Sequence, residues 1–148
     1  HHPEERLVRA VAQASRAIPS FSGYSHLWGS RFLEDTRATR IVLSEIRRQH
    51  GYFIDTQTTP ASLIPRLAAQ VGVPFREVDG RVEESDTREE IGEKMNGFIR
   101  RAQRIGTALV SAPCTKAFIG VLEESEATLL RNGVRLVYVS EIVIHPEG

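Results

Sequence analysis

Among the five histidines of the 148-residue chain, His26 is set apart by its neighbours. His1 and His2 are adjacent and terminal, His145 lies in the tail, and His50 falls in the last turn of an expected helix, where a cationic ring suits the helix dipole. His26 instead ends a short stretch, Phe21-Ser22-Gly23-Tyr24-Ser25, and is followed by Trp28, Gly29 and Ser30. Asp55 is the second candidate. It closes Tyr52-Phe53-Ile54, an apolar run suited to a buried strand, and opens the polar loop Thr56-Gln57-Thr58-Thr59 that ends at Pro60. Parallel α/β sheets bind ligands at the carboxyl ends of their strands, so Asp55 reads either as a site carboxylate or, with Thr59, as a cap for the next helix. His26 reads either as a ligand or base, or as a core histidine satisfied by a carbonyl. A right-handed crossover between the two strands brings both residues to one rim of the sheet. There a histidine and a carboxylate form part of a metal site or a general-base pair, although a catalytic zinc takes three protein ligands.

Other chemistry finds less support. The later strand end Ser111-Ala112-Pro113-Cys114 offers no donor at Ala112, and Cys114 reads as a small helix-start residue, because no His and Asn pattern accompanies it. The sequence contains no phosphate-cradling glycine loop, His-Glu-x-x-His helix or Gly-x-Ser-x-Gly elbow.

The elements that must position His26 and Asp55 follow from periodicity and punctuation. Leu7, Val8, Val11, Ala12 and Ile18 share one helical face that ends at Pro19, and 21–26 reads as a short strand. Asp35 or Thr36 caps a second helix with Ile41, Val42, Glu45, Ile46 and Gln49 inward, and Gly51 is its expected left-handed stop. After the strand ending at Asp55, a helix is expected from Pro60, with Leu63, Ile64, Leu67, Ala68 and Val71 inward and Gly72 closing it. Residues 73–79 contain Pro74 and read as an edge strand. Thr87-Arg88-Glu89-Glu90 fits a capping box for a helix carrying Ile91, Met95, Phe98, Ile99, Ala102 and Ile105 to Gly106. A buried strand over 107–112, a helix carrying Phe118, Ile119, Leu122, Leu129 and Leu130, and a last strand over 134–139 complete the series. The alternation predicts a single α/β domain over 1–148: a partial, irregular (β/α) barrel, or an open, mostly parallel sheet flanked by helices. The strands are too few to close a barrel of about eight.

Composition narrows the partners. Lys plus Arg and Asp plus Glu are 19 each, so no net field recruits nucleic acid or an anionic membrane. One cysteine excludes an intramolecular disulfide framework. No apolar run reaches the length of a membrane span, and no signal sequence opens the chain. Without an initiator methionine, the start at His1-His2-Pro3 reads as a fragment or a processed product.

Several segments, in order, resemble the divergent polysaccharide deacetylases of the glycoside hydrolase/deacetylase superfamily. Ser25-His26-Leu27-Trp28-Gly29-Ser30-Arg31-Phe32 is similar to that family's Asn-His-Met-Gly-Ser-x-Phe motif, with serine for asparagine. Tyr52-Phe53-Ile54-Asp55-Thr56-Gln57-Thr58-Thr59-Pro60 is similar to its Phe-Leu-Asp-Ser-Arg-Thr-Thr-Pro strand end. Gly72-Val73-Pro74 resembles its Gly-Val-Pro, and 134–142 its closing strand. The resemblance covers the later part of a family domain. It implies an irregular (β/α) barrel, a divalent metal such as zinc bound by His26, a rim carboxylate at Asp55, and a carbohydrate or small molecule contacted by Trp28, Ser30, Thr56 and Thr58. It implies hydrolysis of acetyl groups on a carbohydrate and an extracytoplasmic or periplasmic setting. Two departures stand against it: the Asp-Asp strand end that binds metal in the family has no counterpart, and Ala112 replaces the histidine of Gly-His-Pro. The alternative is a catalytically inactive module of the same fold that presents Trp28, Tyr24 and the Thr56–Thr59 loop to a sugar or a partner protein.

Overall fold

A computed structural model describes residues 3–26 and 30–147. Contacts divide the chain into two compact units, 1–77 with 140–148 and 78–139.

The first unit carries a three-stranded parallel sheet in the order β1 (Gly23–Ser25), β2 (Tyr52–Asp55), β3 (Phe75–Glu77). The strand ending in Asp55 is therefore central. Its neighbours are in register as Gly23↔Tyr52 and Ser25↔Ile54 on one side, and Phe53↔Phe75 and Asp55↔Glu77 on the other. The expected edge strand is an edge, and Ile144 forms an antiparallel bridge to Phe75 on its outer side. Helix α1 (Pro3–Ala17) and helix α4 (Ile64–Val71) both pack on α3 (Thr36–Arg48), while α2 (Ser30–Glu34) leads into it. The core joins Leu33, Leu43, Ile46, Ile64 and Leu67 to Phe53 and Phe75 of the sheet. Complete burial of each such aliphatic side chain contributes about 1.5–3 kcal/mol.

Local chemistry explains the boundaries. Asp35 caps α3 by accepting from the Ala38 N–H at 2.9 Å. The buried stripe of α3 is Thr39, Leu43 and Ile46 with Glu45, so the center of its inward face lies at Leu43, with Ile41 and Val42 half-buried. The left-handed residue after α3 is His50, at φ +57°, and Gly51 is not left-handed. Helix α4 begins at Ile64 and not at Pro60. A start at Pro60 would put Pro65 inside the helix, where its ring would clash with the preceding turn; at the actual start its missing N–H costs nothing. Gly72 ends α4 at φ +83°, where a side chain would be strained. Gly23 is required for another reason: a Cβ there would lie 2.1 Å from the Tyr52 ring on the paired strand.

The second unit holds two short parallel strands, β4 (Gly80–Arg81) and β5 (Val110–Ser111), with helices α5 (Arg88–Ile105) and α6 (Lys116–Arg131). The capping box at Thr87 and Glu90 forms in full. Val82, Ile91, Met95 and Val121 make its core. Helix α6 turns Val121 and Leu129 inward and leaves Ile119 and Leu130 exposed, unlike the expected face. The expected strand over 134–139 is not present. Val134 donates to the Leu129 carbonyl at 2.9 Å to close α6, and Leu136 and Tyr138 stay 69 % and 82 % exposed, with no sheet partner recorded for the segment among the described residues. The two parallel sheets are short and neither closes into a barrel, which is the open, helix-flanked α/β arrangement that the alternation predicts. No helix among the described residues is long and apolar enough to cross a membrane.

Candidate functional site

Strand register brings His26 and Asp55 together. His26 follows Ser25 and so falls level with Asp55, and Glu77 is level with Asp55 on the opposite side. The three residues form one layer at the carboxyl rim of the first sheet, the place where open α/β sheets hold ligands.

Asp55 is completely buried, and both of its oxygens are engaged. Oδ1 lies 3.1 Å from His26 Nε2 and accepts the Gln57 N–H at 2.8 Å, while Oδ2 accepts the Ser62 hydroxyl at 2.5 Å. Burial alone raises the pKa of such a carboxyl. The hydrogen bonds from His26, Ser62 and the Gln57 backbone outweigh that cost and hold Asp55 below the ordinary aspartate value. A carboxylate held ionised in this way is a poor proton acceptor near neutral pH, so Asp55 is built to orient its partners.

The ring of His26 is 8 % exposed and stacks on Phe53, with centroids 5.9 Å apart and planes 6° from parallel. Its Nε2 faces three groups, Asp55 Oδ1 and the Thr56 N–H, each at 3.1 Å, and Thr56 Oγ1 at 3.3 Å. One ring nitrogen cannot donate to the first and accept from the second. If Nδ1 carried the proton, the Nε2 lone pair would face a carboxylate, and a buried N–H would point at no acceptor among the described residues. With the proton on Nε2, the ring donates to Asp55. Nδ1 then presents a buried lone pair with no hydrogen-bond partner among the described residues.

The loop after β2 supports this pair along its length. Thr56 Oγ1 donates to the His26 carbonyl at 3.1 Å, and buried Thr59 donates to Glu34 Oε1 at 2.5 Å. Ala61 and Ile64 donate backbone N–H groups to Thr59 Oγ1 and Ser62 Oγ, at 3.2 and 3.3 Å. Gln57 adopts φ +53°, an unfavourable conformation for a non-glycine residue, directly after the N–H that it gives to Asp55. Its side chain meets Glu77 Oε1 at 3.4 Å.

Of the residues singled out from sequence, His26, Asp55 and Thr56 therefore come together, and Thr58 is half-buried in the same loop. Trp28 lies outside the described residues, as does the side chain of Ser30. Tyr24 is half-buried and gives its hydroxyl to Gln49 Oε1 at 2.6 Å, a bond to α3 and not a presented ring. Ser62, Gln57 and Glu77 were not legible from residue type. Only the register and the path of the loop identify them, although a serine two residues before a helix is a common local hydrogen-bonding signal. Ala112 is half-buried against the core of the second unit, and Cys114 is exposed.

As a metal centre, the described residues supply one suitable donor. The bare Nδ1 of His26, backed by a carboxylate on Nε2, has the form of a metal-ligating histidine with its outer-shell partner. Asp55 has no oxygen to spare, and no group of three or more His, Cys, Asp or Glu among the described residues is arranged to hold a metal ion.

Comparison with known proteins agrees with this architecture. The crystal structure of an uncharacterized protein from Agrobacterium tumefaciens is similar, with a TM-score of 0.89 at 23 % sequence identity, over 95 % of this chain and 57 % of that one. The likeness is one of fold, and this chain spans just over half the length of that protein. No curated protein sequence matches the chain. The family profile described as divergent polysaccharide deacetylase matches residues 1–143, nearly the whole sequence, and the chain belongs to that family.

Proposed function

We propose that this chain contributes one wall of a carbohydrate deacetylase site, with His26 as a divalent-metal ligand through Nδ1 and Asp55 as the carboxylate that orients it. The observation that carries the reading is the buried Nδ1, without a hydrogen-bond partner among the described residues, of a ring whose other nitrogen is held by an ionised aspartate. A metal such as zinc, when bound, supplies Lewis acidity toward an acyl oxygen and lowers the pKa of water. This chain's own residues do the positioning. Asp55 fixes the tautomer of His26, Phe53 fixes its ring plane, and Thr56 ties the backbone of β1 to that of the loop. Three protein ligands are the usual requirement, so this reading calls for donors beyond the described residues. Trp28, Ser30, Thr56 and Thr58 contact the acetylated sugar in this reading.

A second reading, a catalytically inactive module of the same fold that binds carbohydrate or protein, is favoured by Ala112, which puts a methyl group where the family's Gly-His-Pro motif carries an imidazole. Zinc-dependent release of acetate from acetylated oligosaccharides, assayed on the protein at its natural length, separates the two. The deacetylase reading expects release that falls by at least about a hundredfold in His26→Ala, the scale of an essential group. Absence of release, together with a thermal midpoint that does not respond to zinc in either protein, would leave only the binding module.

A further inference from the structure

We infer that Ser62 is a positioning residue for the site, acting through Asp55 to hold His26 in its Nε2-protonated orientation. The inference rests on the reading of His26 as the functional side chain.

Ser62 precedes α4, and its Oγ accepts the Ile64 N–H at 3.3 Å. Helix capping alone would need nothing more, because it uses only a hydroxyl lone pair. The hydroxyl proton goes elsewhere, to Asp55 Oδ2 at 2.5 Å. A carboxylate is planar, so fixing Oδ2 from one side and Oδ1 through the Gln57 N–H from the other leaves Oδ1 a single direction in which to meet the imidazole. The path Ser62–Asp55–His26 therefore joins the loop before α4 to the residue after β1 across the central strand. Without the serine proton, a completely buried oxygen loses its hydrogen bond and the carboxylate can rotate about its χ2, which has a broad, soft potential.

Three substitutions separate positioning from capping. Ser62→Thr keeps both the lone pair and the proton. Ser62→Asp keeps a capping oxygen but brings no proton and adds a negative charge beside Asp55. Ser62→Ala loses both functions. The readout is the His26 imidazole in long-range 1H–15N correlation spectra at neutral pH, which reports the tautomer whether or not metal is present. The expected result is a single Nε2–H tautomer in the unaltered protein and in Ser62→Thr, and a mixture, or loss of the slowly exchanging Nε2–H signal, in Ser62→Ala and Ser62→Asp. An unchanged His26 spectrum in either Ser62→Ala or Ser62→Asp would overturn the inference. Asp55→Asn distinguishes the layers of the argument. If it disturbs the tautomer and the Ser62 variants do not, only the role of Ser62 fails; if it leaves the tautomer unchanged, the pairing of His26 with Asp55 fails with it.

Discussion

Each unit of the molecule carries a well-buried aspartate beside a short strand, and the two are used differently. Asp79 in the second unit is a brace. Its side chain is 6 % exposed; Oδ1 meets Arg101 at 2.6 Å, Oδ2 accepts the Leu109 N–H at 2.8 Å, and its own N–H returns to the Leu109 carbonyl. These partners are main chain and a guanidinium, which carries donors and no acceptor, so this cluster holds β4 and β5 together without offering a lone pair. Asp55 in the first unit faces a histidine, a hydroxyl and one main-chain N–H, and the second nitrogen of the histidine meets no hydrogen-bond partner among the described residues. In the proposed reading, a buried carboxylate serves a site when its partner can still do chemistry on the far side. Asp55 meets that test and Asp79 does not.

The largest effect that would break this contrast is loss of either carboxylate. Asp55→Ala strands three hydrogen-bonding partners in a fully buried place and is expected to cost about 3–5 kcal/mol, the scale for removing one side of a buried pair. Asp79→Ala frees an Arg101 side chain that is 37 % exposed and can turn to water, so about 2 kcal/mol is expected. Urea unfolding measures both. The contrast sharpens if Asp79→Ala leaves any zinc response of the protein intact while Asp55→Ala removes it.

Acid gives a subtler difference. The folded pKa of Asp55 is depressed relative to the unfolded chain, so its contribution is fully present above the unfolded aspartate value of about 3.9 and is lost as pH falls through the folded value. Glu45, Asp86 and Glu90 are also depressed, chiefly by bonds from Arg48, Lys94 and the Thr87 backbone, so the whole protein loses stability in acid with the same sign. Asp55→Asn is expected to be less stable at neutral pH but to lose less of its stability below that value. Denaturation curves collected across the carboxylate range would show the two profiles converging.

The smallest expected effect concerns Gln57. Glycine tolerates φ +53° without strain, so Gln57→Gly changes stability by less than about 1 kcal/mol and keeps the N–H on Asp55. Gln57→Pro removes that N–H and cannot adopt the angle, and costs more than Gln57→Gly in the same unfolding measurement.

The Asp55 side of this contrast is legible in the sequence. The apolar run ending at Asp55, the one-helix separation from His26 and the parallel crossover rule place both residues on one rim, where the structure puts them. The caps at Asp35 and Thr87 were legible because side-chain capping is local chemistry. Ser62, Gln57 and the bare Nδ1 were not, because a loop's path is set by hydrogen bonds to groups distant in sequence. Val134–Val139 misled for the converse reason. Its alternation fits a strand, but a strand needs a neighbour, and periodicity does not report whether one is present.

The central claim is that Asp55 holds the proton of His26 on Nε2 and leaves Nδ1 open to a ligand. The most direct test is the pair of ring-nitrogen 15N shifts of His26 in the unaltered, natural-length protein near neutral pH, recorded before and after addition of zinc. The account predicts a protonated Nε2 and a bare Nδ1, and a zinc-induced change centred on Nδ1. A protonated Nδ1, with Nε2 bare beside the carboxylate, would contradict it.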